Sequence, residues 1–185
     1  MGRIDKLAEA YERHISLPWQ KDLAGAQRVI FLIYDKADER KLRARMGNFE
    51  IATGRAGHQW LECDITRVFS DWMAALDYRE SYFEEPEDLD LKVESELPGF
   101  TESLVKGVLE KAGENTVTAI YGVASLYGFV SVSELMKRVE PFIKGRLIVF
   151  FPGEHEDNNY RLLGARDGWN YLAVPITAFN GGFER

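Results

Sequence analysis

Three polar side chains fall where buried strands of this chain are expected to end. Asp35 follows the apolar run VIFLIY at 29–34, and Glu154 and His155 follow RLIVFF at 146–151. Open α/β sheets bind ligands outside the carboxyl ends of their strands. Carboxylates beside a histidine can move protons or hold Mg²⁺. This pattern indicates either a nucleotide-binding or hydrolytic site, or a polar loop that satisfies its own backbone.

The motifs that would complete such a site are missing. The first strand is followed by YDKAD without glycine, and the triplets GKS and GKT occur nowhere, so the chain has no phosphate-binding loop. Ser125 lies between Gly122 and Gly128 at the wrong spacing for a nucleophile elbow, which favours a helix start or a turn. The D-x-K fragment at 90–92 lies in an acidic, strand-poor segment, whereas a nuclease needs it on a strand. We therefore assign no catalytic, cofactor-binding or metal-ligating residue.

Two stretches have the composition of a protein–protein interface. The tract DYRESYF at 77–83 mixes three aromatic residues with charges, and Tyr and Arg are favoured at interface hot spots. The second stretch is the polar segment after the fourth strand. The candidate interaction residues are Tyr78, Arg79, Tyr82, Phe83, Glu154, His155, Asn158, Asn159 and Tyr160.

The charge of the chain disfavours direct nucleic-acid binding. The formal net charge is −7, and residues 77–102 alone contribute −8, whereas a nucleic-acid surface needs a basic excess. The second predicted helix nevertheless carries a local basic patch. This patch is either a solvated helix face or a surface that contacts DNA. This patch comprises Arg40, Lys41, Arg43 and Arg45.

Hydrophobic periodicity predicts the elements that position these residues. Five apolar runs alternate with helical patterns, which predicts a single α/β domain over 1–185 with a mostly parallel five-stranded sheet. We expect a Rossmann-like or RecA-like sheet without a P-loop and with helices on both faces. The predicted strands cover 29–34, 58–65, 116–121, 146–151 and 171–176. Pro175 indicates that the last strand either lies at a sheet edge or ends there.

The remaining segments are predicted from helix and turn signals. An amphipathic helix within residues 1–20 packs on the domain, and Thr66 and Ser131 are expected to cap later helices. Pro86 and Pro98–Gly99 divide the acidic segment 77–102 into an excursion of short helices. The fourth strand is expected to stop at Pro152–Gly153, before a polar loop with turns at 158–159 and 167–168.

The cellular compartment follows from what the chain contains. Cys63 is the single cysteine, which excludes an internal disulfide and fits a reducing compartment. No apolar run approaches the roughly 20 residues that cross a bilayer. We therefore expect a soluble, cytoplasmic protein.

Three stretches carry a resemblance to a known family: VIFLIYDKADERKLRAR at 29–45, DYRESYFEEPEDLD at 77–90, and GRLIVFFPGEHEDNNYRLLGARDGWNYLAVPI at 145–176. They are similar to BrxB, the small B component of BREX phage-defence systems. The resemblance extends over about residues 4–178, and the long C-terminal stretch is its most distinctive part.

This resemblance implies a role in antiviral defence. Its expected partners are the phosphatase-like PglZ, the ATPase BrxC and the methyltransferase PglX. No catalytic residue comes with the family, so the function that we expect is a non-catalytic adaptor between other BREX proteins. Homo-oligomerisation stays open.

Overall fold

The centre of the fold is a sheet of parallel strands. The computed structural model describes residues 1–165 and 168–179. Five strands lie in the order β2-β3-β4-β1-β7, and each neighbouring pair is parallel. Their bounds are β1 Val29–Tyr34, β2 Gln59–Asp64, β3 Thr116–Tyr121, β4 Arg146–Glu156 and β7 Val174–Thr177.

An antiparallel extension makes the sheet mixed. The strands β5 (Asn159–Leu162) and β6 (Trp169–Asn170) continue from the end of β4, with both pairings antiparallel. The predicted α/β class is therefore confirmed, whereas the sheet has seven strands rather than five. The predicted edge position of Pro175 agrees with its place in β7, which lies at the end of the strand order.

The predicted stop at Pro152–Gly153 is wrong, because β4 changes partners there instead of ending. Pro152 is the last residue in register with β1, and its carbonyl accepts a hydrogen bond from Leu163 N–H. Gly153 begins the pairing with β5, and a Cβ at Gly153 would lie 2.1 Å from the Arg161 carbonyl oxygen. The glycine therefore permits close backbone approach in a strand that continues.

Three helices cover one face of the sheet: α1 (Arg3–Ile15), α2 (Glu39–Ala44) and α3 (Met46–Arg55). The predicted first helix is confirmed, whereas the single helix expected after β1 is divided at Arg45. Alternation along the fully buried β1 points Ile30 and Leu32 toward this layer.

Three helices cover the other face: α4 (Val68–Ala74), α6 (Leu89–Leu109) and α7 (Val132–Val139). The short helix α5 (Arg79–Glu84) has no buried residue. Ser131 caps α7 as predicted, since its hydroxyl accepts from Glu134 N–H. Thr66 does not cap α4, because the N-cap of this helix is Arg67. Instead, the backbone N–H and the hydroxyl of Thr66 donate hydrogen bonds to the Asp64 carboxylate.

The acidic segment 77–102 contains the short helix α5 and the 3-10 helix Pro86–Asp88, as expected, but it then continues into one long helix. The 21-residue α6 runs through Pro98, so the predicted break at Pro98–Gly99 is wrong. The reason is tertiary packing, because one side chain per turn of α6 is buried in the core. This stripe comprises Val93, Leu97, Thr101, Val105 and Leu109. Its burial outweighs the roughly 3 kcal/mol that an interior proline costs.

Short 3-10 helices connect several of these elements, at Gly25–Arg28, Lys36–Asp38, Pro86–Asp88, Val123–Leu126 and Glu140–Phe142. Among the helices that the structure describes, none combines the length and the apolar character that crossing a membrane requires.

Candidate functional site

A cleft opens where the carboxyl ends of β1, β4 and β7 meet. It has a volume of about 470 Å³, and the first turns of α1 form one of its walls. The chain leaves β1 toward the layer of α2 and α3, whereas it leaves β4 toward the hairpin on the opposite side. Neighbouring strands with diverging connections form a topological switch point, where open α/β sheets bind their ligands. The cleft is therefore the candidate functional site.

The structure brings together the three residues predicted to act at the strand ends. Asp35, Glu154 and His155 all line the cleft. Arg3 also lines it, and sequence patterns gave no indication of this, because its position depends on how α1 packs across the sheet.

Two carboxylates at the end of β1 already have structural partners. Asp35 accepts a hydrogen bond from Ala37 N–H at 2.9 Å, which caps the 3-10 helix Lys36–Asp38, and it pairs with Arg3 at 3.4 Å. Asp38 is almost fully buried and pairs with Arg3 at 2.7 Å and Lys41 at 3.0 Å. The hydrogen bond from Lys41 lowers the pKa of Asp38, against the opposing effect of burial, and Arg3 adds to the lowering. The cap formed by Asp35 and the pairing of Asp38 with two cations thus stabilise the turn that follows β1.

His155 is a polar group of the cleft with unused hydrogen-bonding capacity. Its ring packs against Tyr160, with centroids 4.6 Å apart, and its buried Nε2 atom has no hydrogen-bond partner among the described residues. Burial lowers the pKa of His155, which favours the neutral ring. A neutral imidazole with a free nitrogen can accept or donate one hydrogen bond to a ligand.

The lining of the cleft combines carboxylates, cations and a histidine. The described residues that line it include no serine or cysteine. The described ranges also contain no group of three or more His, Cys, Asp or Glu residues placed to hold a metal ion.

The two weaker sequence motifs have structural locations. Ser125 lies in the 3-10 helix Val123–Leu126, which confirms the predicted helix start or turn. Gly122 has φ +88°, and a Cβ there would lie 2.4 Å from the Thr66 hydroxyl. The D-x-K fragment lies in the first turn of α6 rather than on a strand, where Lys92 pairs with Glu96 at 2.8 Å.

The first predicted interaction tract lies on a helix without a buried residue. On α5 and the residue before it, Tyr78 and Phe83 are 78% and 68% exposed. Arg79 donates to the Ala74 carbonyl at 2.8 Å, and Tyr82 is half-buried. Leu91, at the start of α6, is 78% exposed and was not among the predicted residues, because its apolar type alone predicts core. We call Tyr78, Phe83 and Leu91 the aromatic–acidic surface, since acidic residues of 77–102 surround them in sequence.

The second predicted interaction group forms the β4–β5 hairpin. Asp157 and Asn158 both have positive φ at its turn, as two-residue hairpin loops require. Glu154 and Asn159 are exposed along it. Tyr160 is fully buried instead, and its hydroxyl donates to the Ala173 carbonyl at 3.2 Å. Tyr160 therefore supports the hairpin from inside the core. The second predicted turn, at 167–168, includes a residue outside the described ranges.

The basic patch of α2 is largely neutralised by neighbouring acids. Lys41 pairs with Asp38, Arg43 with Glu39 at 2.7 Å, and Arg45 with Asp5. Arg43 also donates to the Thr66 hydroxyl at 2.8 Å. Three of its four cations thus have intramolecular anionic partners, which weakens the case for a DNA-contacting surface.

Comparisons of the chain with protein-family models, with curated proteins and with solved structures find no match.

Proposed function

We propose that this protein is a non-catalytic adaptor that joins other components of a BREX-type phage-defence system. The observation that carries the proposal is the aromatic–acidic surface. Its three side chains are 68% to 78% exposed and fall within residues 78–91, a stretch that also has the Tyr and Arg content favoured at interface hot spots. The system itself is proposed from the sequence resemblance to the BrxB family.

Charge indicates what kind of surface the partner presents. Residues 77–102 carry ten acidic and two basic side chains. A partner with a basic rim around an apolar pocket would complement both the charge and the aromatic side chains. We propose PglZ and BrxC as the principal partners and PglX as a further one.

The first experiment is a pull-down of the tagged protein from cells that express the surrounding operon, followed by mass spectrometry. We expect stoichiometric recovery of PglZ, BrxC or both. Affinity is then measured with each purified partner by calorimetry. Failure of both to bind at micromolar concentration would contradict the adaptor role.

Substitution then localises the contact. The double variant Tyr78→Ala with Phe83→Ala should weaken binding about 30-fold or more, since a hot-spot side chain contributes about 2 kcal/mol. The matched control is Tyr127→Ala with Leu17→Ala, which removes two other exposed side chains, at 52% and 49% exposure. Equal weakening by both pairs would show that the aromatic–acidic surface is not the contact.

A second candidate function is binding of a nucleotide or a related small molecule in the strand-end cleft. It is supported by the volume of about 470 Å³ and by the unpartnered Nε2 atom of His155.

Of the two predicted sheet types, Rossmann-like and RecA-like, we propose the RecA-like one. The observed strand order differs from the Rossmann order 3-2-1-4-5-6, and it also differs from the flavodoxin order 2-1-3-4-5.

A thermal-shift screen of nucleotides tests this candidate. A ligand at 100 times its dissociation constant stabilises the folded state by about 2.7 kcal/mol, which raises the melting temperature by several degrees. His155→Gln should reduce the shift, and an undiminished shift would place the ligand elsewhere.

A further inference from the structure

A second pocket lies at the amino-terminal edge of the sheet, opposite the strand-end cleft. It has a volume of about 330 Å³ and is lined by residues that precede or begin the strands β1 to β4. Four of these residues are cationic, and one, Glu114, is acidic. The cations are Lys21, Arg28, Lys144 and Arg146; we call them the cation cluster.

Backbone carbonyls fix the two arginines of the cluster in place. Arg28 donates to the carbonyl of Lys144 at 2.8 Å and to that of Lys21 at 3.0 Å. Arg146 donates to the carbonyls of Gly145 at 3.1 Å and Gln20 at 3.0 Å. Both side chains are therefore ordered by neutral acceptors, and a ligand would find their charges already positioned.

None of the four cations has an ion-pair partner within 4.0 Å among residues 1–165 and 168–179. Arg146 is only 8% exposed, and a charge at that depth is costly unless an anion compensates it. Burial, and then the charge of Arg28, lower the pKa of Arg146. Burial followed by the charge of Arg146 also lowers the pKa of the nearby His14. Among the residues that line the pocket, four cations thus stand against the single carboxylate of Glu114.

Aromatic residues form one wall of the pocket. The Trp19 ring lies 3.8 Å from the His58 ring at an interplanar angle of 14°, and the Arg146 guanidinium lies 4.7 Å from the Trp19 centroid. Asn115 holds this wall, since its side chain bonds His58 Nδ1 at 2.5 Å and the Gly57 carbonyl at 2.8 Å. The wall is thus rigid and joined to the cation cluster.

We propose that the pocket binds the phosphate group of a small phosphorylated molecule. A phosphate monoester carries between one and two negative charges near neutral pH and offers three acceptor oxygens. A phosphate ligand therefore matches a cluster of several cations better than a ligand with one carboxylate group does. The volume lies in the range of small-molecule sites, which begins at about 300 Å³. Extended nucleic acid is disfavoured by the net charge of −7 and by the exposed carboxylate of Glu114. This inference does not depend on the adaptor function, because the two surfaces share no residue.

The test uses the full chain and calorimetric titration with pyrophosphate, inorganic phosphate and acetate at equal ionic strength. We expect pyrophosphate to bind best and acetate not to bind. The variant Lys21→Ala with Lys144→Ala should weaken pyrophosphate binding by about tenfold or more, as loss of charge-assisted hydrogen bonds implies. Both lysines are exposed, so the fold is expected to survive their removal.

The matched control is Lys6→Ala with Arg40→Ala, which removes the same charge from exposed positions on α1 and α2 outside the pocket. It should leave pyrophosphate binding within twofold of the parent. A second variant, Arg146→Lys, retains the charge but loses the planar donors, and should weaken binding while preserving the folded state.

Three results would overturn the proposal: no pyrophosphate binding at millimolar concentration, equal weakening by the two double variants, or equal affinity for acetate. A fourth arm uses a short DNA duplex. Tighter binding of the duplex than of pyrophosphate, lost in the Lys21→Ala, Lys144→Ala variant, would assign the pocket to nucleic acid instead.

Discussion

The continuity of α6 through Pro98–Gly99 can be tested by adding a single methyl group. Gly99→Ala places a Cβ where no other heavy atom lies within 4 Å, on the exposed side of the helix. Glycine in a helix interior is less favourable than alanine by roughly 0.5–1 kcal/mol, because more backbone entropy is lost on folding. Gly99→Ala should therefore raise the free energy of unfolding by that amount.

The same substitution at Gly122 should have the opposite sign. Gly122 has φ +88°, and an added Cβ would lie 2.4 Å from the Thr66 hydroxyl and 2.6 Å from the Thr66 backbone nitrogen. Left-handed backbone costs a residue with a Cβ about 1–2 kcal/mol, and the collision with backbone adds to it. We expect Gly122→Ala to destabilise the protein by at least about 2 kcal/mol.

Urea unfolding followed by circular dichroism measures both changes, with equal m-values showing that the unfolded state is unaltered. For a chain of this length, 1 kcal/mol corresponds to about 2–4 °C in Tm. Gly107→Ala, at a second open site in α6, should behave like Gly99→Ala. Destabilisation by Gly99→Ala together with stabilisation by Gly107→Ala would show that α6 is interrupted at Pro98–Gly99.

Three further predictions concern the core and its titratable groups. Leu97→Ala should reduce the free energy of unfolding by about 2–5 kcal/mol in urea titrations, because Leu97 is fully buried. The control Leu91→Ala, at a side chain that is 78% exposed, should change this free energy by less than about 0.5 kcal/mol. Similar losses in the two variants would contradict the packing of α6. Burial, with a smaller contribution from Asp64, raises the pKa of Cys63 to about 12. A thiol reagent at pH 8 should therefore react with Cys63 only as fast as the protein unfolds. Immediate reaction of the native protein would refute the burial of Cys63. Burial also lowers the pKa of His14 and of His155, so the folded state binds fewer protons than the unfolded state below about pH 6.5. Stability should therefore be fully present above that pH and decline as the pH falls through it. His14→Gln with His155→Gln should flatten the decline in urea titrations between pH 7 and 5, and an unchanged slope would assign it to other groups.

Local sequence patterns were sufficient where one residue type dictates one structure. The run VIFLIY forms β1 with the predicted bounds and is buried on both faces, because only a central strand can bury six consecutive apolar residues. The amphipathic spacing of α1 and the Ser131 cap of α7 were likewise readable from short windows. Placement of Asp35, Glu154 and His155 at one edge followed from the rule that parallel strands end together.

Other features depended on residues distant in sequence. Pro98 breaks an isolated helix, and only the burial of Leu97 and its neighbours against the sheet keeps α6 continuous. Asn158–Asn159 is a turn signal, and with the alternation around it this signal could have predicted the β4–β5 hairpin, whose turn lies one residue earlier, at Asp157 and Asn158. The strong stop signal of Pro152–Gly153 argued against a strand that continues.

The sequence by itself determined the α/β class, the order of the principal strands along the chain and the concentration of acid in residues 77–102. The tertiary structure decided which charges are balanced. It paired Lys41, Arg43 and Arg45 with Asp38, Glu39 and Asp5, and left Arg28 and Arg146 bonded to neutral carbonyls. The reason is physical: charge is counted along the chain, whereas compensation depends on distances of a few ångströms between residues that only the fold brings together.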